Sequence, residues 1–198
     1  MMLIEETTVP DQALPVAEFK AHLRLGTGFT PDDVQDVVLG SFLRAAIASI
    51  EARTGKVLIE RDFVLSITAW RTADSQTFPV APVRSVTMLT AVDRAGVRTD
   101  LATDTYWLER DGHQPRLRSV GCALPAVPVA GAVEIAFRAG FGPDWSDVPA
   151  DLMQAVMLLA AHYYEFRHET TLSEGCMPFG VTSLIERYRV MRLGGVAT

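Results

Sequence analysis

Cysteine is almost missing from this 198-residue chain. The two that occur, Cys122 and Cys176, lie far apart and form no CxxC pair. That argues against a disulfide framework or a zinc site built on paired thiolates, and a reducing compartment fits best. Positive charge is the scarcer sign, with 18 Lys and Arg against 24 Asp and Glu, for a net charge of −6. Affinity for phosphates comes from Lys and Arg displacing counterions, so a protein that grips nucleic acid is not expected, although DNA can pass such a surface. No stretch approaches the length of a membrane span. The opening MMLIEETTVP has neither a basic leader nor a long apolar run, so the chain is expected to be made and kept in the cytosol unless an assembly carries it out.

Catalytic patterns are missing too. There is no GxSxG elbow, no Walker loop and no GxGxxG after a strand; Gly140 and Gly142 in AGFGPDW lack the third glycine and the following lysine. His162, Glu165, His168 and Glu169 form the one tempting metal cluster. Helical rotation carries the two histidines onto separate faces, and a single Glu-x-x-His is half of the paired motif that a di-metal bundle uses. Asp144, Asp147 and Asp151 are spaced for capping and lack the ligand pattern of a calcium loop. Cys176 has no base beside it in sequence. The expectation is a non-enzyme with no cofactor and no metal, with interaction surface as what remains.

What is present is apolar. Hydrophobic residues make up 48% of the chain and mean hydropathy is +0.17, values that suit buried subunit contacts or an apolar monomer equally well. The strongest pattern is VPADLMQAVMLLAAHYYEFRHE, residues 148–169, read as one long helix. Asp147 is placed to cap it, Pro149 suits its first turn, and Asp151 faces the positive end of its dipole. Leu152, Val156, Leu159, Tyr163 and Phe166 fall on one stripe, and Met153, Met157, Ala160 and Tyr164 on a second beside it. Asp151, Gln154, Leu158, His162 and Glu165 are left for water. One stripe is enough for a helix on a single core, so this helix is expected to lie central in its own domain or to lend its second stripe to another chain, with some of each.

The rest follows in order. Pro15–Leu25 (PVAEFKAHLRL) is a short amphipathic helix, and Thr30, Pro31, Asp32 and Asp33 signal the start of a second long one ending near Thr54, with Gly55 as its C-terminal glycine. Its apolar residues, Leu39 and Leu43 among them, again spread over more than one face. The period then becomes alternating. Strands are expected within Val57–Trp70, at Val83–Val92, where Val83, Ser85, Thr87 and Leu89 oppose Val86, Met88 and Thr90, and at Val97–Leu101, Tyr106–Glu109, Arg116–Val120 and Ala132–Arg138. Short turns between them point to antiparallel pairing. A final helix is expected from about Val181 to Leu193, carrying Leu184, Ile185, Tyr188 and Met191 beside Arg187, Arg189 and Arg192. The predicted fold is α+β: a bundle of about four helices with an antiparallel β-rich insertion between the second and third. In this reading, 1–55 holds the N-terminal helices, 56–140 the insertion and 147–193 the helices that complete the bundle, with 194–198 a flexible tail, all in one domain.

Four blocks in this order carry a resemblance: PVAEFKAHLRL, SFLRAAIASIEARTGKVLI, FRAGFGPDWSDVPADLMQAVMLLAAHYYEFRHE and MPFGVTSLIERYRVMR, with FPVAPVRSVTMLTAVDRAGV between them. Together they resemble the head-tail connector, or adaptor, proteins of long-tailed phages and gene transfer agents. The resemblance implies a ring of twelve copies below the portal, extending the DNA channel and offering a stopper or tail-completion protein a place to dock. DNA would pass through the lumen without specific binding, in a virion or gene transfer agent neck assembled in the host cytoplasm, with no membrane involved. It implies no catalytic residues. It also implies that the segment from about Phe179 to Thr198 reaches the portal, with Phe179, Arg187, Tyr188, Arg189, Met191 and Arg192 as portal contacts. The surplus stripes, with Met153, Met157, Tyr164, Leu39 and Leu43, would then lie between subunits. The alternatives are another neck or tail component, such as a stopper or tail terminator, and, from a different class, a small hydrolase or ligand-binding domain.

Overall fold

The computed structural model describes residues 1–25, 33–167 and 177–189. Among these the order is β1 (Met2–Glu5), α1 (Val16–His22), α2 (Asp33–Thr54), β2 (Arg61–Ile67), β3 (Ser75–Thr77), β4 (Val83–Val92), β5 (Arg98–Asp100), β6 (Tyr106–Glu109), β7 (Arg116–Ser119), β8 (Ala132–Ala139), α3 (Ala150–Glu165) and α4 (Phe179–Ile185). The fold is α+β with four helices and antiparallel sheets. Internal contacts divide the chain into a β-rich unit, residues 1–13 with 56–147, and a helical unit, residues 14–55 with 148–198.

In the β-rich unit a five-stranded sheet has the order β1-β2-β8-β4-β5, and a three-stranded sheet has the order β3-β7-β6. Alternation decides which faces are buried, because successive side chains on a strand point to opposite sides. On β2 every second residue is buried, from Arg61 through Phe63 and Leu65 to Ile67, and β8 matches it with Val133, Ile135, Phe137 and Ala139. These side chains share one core with Leu117 and Tyr106 of the smaller sheet. Within it the ring of Phe137 lies 5.6 Å from that of Phe63 and 4.8 Å from that of Phe78. Arg61, at the end of the buried row, pairs with Glu5 at 2.7 Å and lies over the Phe63 ring, which compensates its charge where water is scarce.

Strand β4 departs from strict alternation. Its register against β8 shifts between Val83 and Ser85 and again between Val86 and Met88. Each bulge inserts one residue and re-aims those that follow. Val83, Val86 and Leu89 therefore turn toward the core while Ser85 and Met88 oppose Arg138 and Ala136 on the other face. The expected grouping of Val83, Ser85, Thr87 and Leu89 on one side is corrected accordingly. The acidic lead-in is also more than a lead-in: Met2–Glu5 forms edge strand β1, in register with Phe63–Ser66 of β2.

In the helical unit α2 buries Leu39, Leu43, Ala46, Ile47 and Ile50, and α3 buries Leu152, Ala155, Val156, Met157, Leu159 and Ala160. Phe19 of α1 and Val181 and Ile185 of α4 complete this core. Helix α2 ends at Gly55, whose φ of 66° is the left-handed value its position calls for. The expected start of α3 is revised. Pro149 occupies the cap position with no side-chain hydrogen bond, while the Asp147 carboxylate accepts the Asp144 N–H at 3.1 Å within the 3-10 turn Trp145–Asp147. The last helix is shorter than expected, giving way after Ile185 to a 3-10 turn at Glu186–Tyr188 and an extended Arg189. The expected cap at Thr30–Asp32, the His168 and Glu169 side chains, Cys176, and the expected helix end and tail past residue 189 lie outside the described residues.

Gly140, at the end of β8, has φ of 139°, and a Cβ there would run into the backbone of Glu60 and Ile59. Gly140→Ala should therefore destabilise the chain by about 2 kcal/mol or more, since a strained backbone conformation alone costs roughly 1–3 kcal/mol. The check is a urea titration: the midpoint should fall with an unchanged slope, and an unaltered midpoint would show that the turn relaxes.

Candidate interaction surfaces

The sequence directs attention to the C-terminal helix, and the structure places its last turn against α3. Tyr188 is buried, and its hydroxyl donates to Asp151 Oδ1 at 2.7 Å. Arg187 Nε pairs with Asp151 Oδ2 at 2.8 Å, and its guanidinium lies over the Tyr188 ring at 4.7 Å. Arg187 also donates to the Tyr188 hydroxyl. One carboxylate in the first turn of α3 thus holds two consecutive side chains of the C-terminal segment. Burial pushes the Tyr188 phenol above its ordinary value, with the Asp151 hydrogen bond adding to the rise and the Arg187 bond opposing it. The hydrogen bond to Tyr188 and the Asp151 charge raise Arg187 in turn.

Of the expected portal contacts, Tyr188 is buried in this chain's own core, while Arg187 pairs with Asp151 and keeps its side chain 70% exposed. Asp151 itself, read from sequence as solvated, is the anchor. No local signal connects it to Tyr188, because the partners are 37 residues apart. Phe179, at the start of α4, is 87% exposed, and Arg189 is exposed beside Glu186 at 3.5 Å. Met191 and Arg192 lie outside the described residues.

The residues expected between subunits divide as well. Leu39 and Leu43 are 0% exposed and Met157 is buried, so their side chains belong to this chain's own core and offer a neighbour no surface. Met153 and Tyr164 are half-buried. Tyr164 meets the Phe42 ring edge-on at 5.9 Å and carries Arg167 over its face, and its neighbour Tyr163 shares a hydrogen bond with Ser49 at 3.0 Å. Among the described residues of α2 the large apolar side chains exposed to solvent are Val37 and Val38.

In the β-rich unit two open clefts, about 410 and 350 Å³, flank the turn after β6. Buried Lys56 holds that turn, donating to the Gly112 carbonyl at 2.5 Å and meeting His113 Nδ1 at 3.2 Å, and burial pushes its pKa down. The turn closes on itself through Asp111, whose carboxylate accepts the N–H groups of His113 and Gln114 and is lowered chiefly by them. Among the described residues no three His, Cys, Asp or Glu gather at a distance suited to a metal.

Tyr188→Phe removes one buried hydrogen bond and should cost about 1 kcal/mol at neutral pH. The folded state favours the neutral phenol, so its stabilisation is present below the ordinary pKa of 10.0 and is lost as pH rises through the raised value. Denaturation midpoints followed through alkaline pH should fall less steeply for Tyr188→Phe than for the parent; identical slopes would contradict the burial of this hydroxyl.

The chain matches no model of a known protein family and no curated protein. Solved structures do match. A chain in the neck of an empty gene transfer agent (GTA) particle, computed with C6 symmetry, is 55% identical over 98% of both chains, with a TM-score of 0.90. A chain in the neck of a native GTA particle, computed with C12 symmetry, is 52% identical with the same coverage and a TM-score of 0.85. A chain in the virion of a native gene transfer agent particle is 55% identical, again over 98% of both, with a TM-score of 0.87. With more than half of the residues identical along nearly the whole of both chains, this chain belongs to the head-tail connector family found in gene transfer agents.

Proposed function

We propose that this chain is the adaptor subunit of a particle neck, a structural protein that forms a ring of twelve between the portal and the stopper or tail-completion protein and extends the DNA channel. The observation that carries the reading is the identity of 52–55% over 98% of the chain to neck components, one of them in a neck computed with 12-fold symmetry. In this reading residues 56–147 are an insertion between the second and third helices of a bundle, and residues 1–13 join the same β-rich unit from before the first helix. The net charge of −6 suits a conduit, because carboxylates let DNA slide where a basic lining would hold it by counterion release. A closed ring uses heterologous contacts, in which one patch of each subunit meets a different patch of the next.

The portal-facing element is α4 with the residues that follow it in sequence. Phe179 is exposed at the start of α4, Arg187 and Arg189 are exposed while paired with Asp151 and Glu186, and Tyr188 is buried. Large aromatic and arginine side chains are the types that dominate binding energy at protein interfaces.

Deleting the gene should leave DNA-filled heads without a neck ring or tail by electron microscopy; complete particles would refute the assignment. The double variant Phe179→Asp, Arg189→Glu should keep its denaturation midpoint close to the parent value, because both residues are exposed, yet lose at least tenfold in recovery on portal-bearing heads. Undiminished recovery would remove this face from the portal contact.

A further inference from the structure

We draw no further inference here: the strongest candidate, the apolar row of Ile4, Val64, Ala136 and Met88 across the outer face of the five-stranded sheet, carries nothing, because its rim includes exposed Glu6 and Asp100 and nothing in the structure shows what covers it.

Discussion

Strand β8 is the constraint on which the β-rich unit depends. It is paired along both edges, with β2 on one side and β4 on the other, so its backbone polar groups are satisfied and its two faces are committed. The inner face supplies Val133, Ile135, Phe137 and Ala139 to the core. The outer face carries Glu134, Ala136 and Arg138. A one-residue slip would exchange these sets, placing Glu134 and Arg138 in the core, and unpaired charge there would cost several kcal/mol. The same pairing that closes the core therefore fixes what the sheet shows to the outside.

The helical unit solves a different problem. Helices α2 and α3 each carry more apolar residues than one contact needs, and most of the excess is absorbed internally. Leu43, Met157 and Ala160 are buried, and α4 returns Val181, Ile185 and Tyr188 to the same core. Among the described residues the large apolar side chains left exposed are Val37 and Val38 on α2, Phe166 after α3 and Phe179 on α4. The Asp151 carboxylate, at the favourable end of the α3 dipole, ties the C-terminal segment down through two side chains.

Much of this was legible in the sequence where local physics decides. The β4 and β6 bounds and the positive φ at Gly55 follow from alternation, from turn chemistry and from the glycine position. What escaped was set by distant partners. Strand β1 is only four residues long and becomes a strand by pairing with β2, about sixty positions away. Strand β3, three residues, exists because β7 pairs with it. The first β4 bulge reverses the parity of Ser85 and Val86 and the second restores it by Met88, a change that shows only in the pairing with β8. The role of Asp151 was hidden for the same reason, and the stripes of α2 and α3 could not say whether their partner was the same chain or another one.

The central claim is that this chain works as repeated copies around the channel axis of a neck. A cryo-electron microscopy map of the neck, taken from particles assembled from this chain and averaged without imposed symmetry, tests it most directly. The account predicts twelve copies in one closed ring. A neck without this chain, or one whose copies close no ring of twelve, would contradict it.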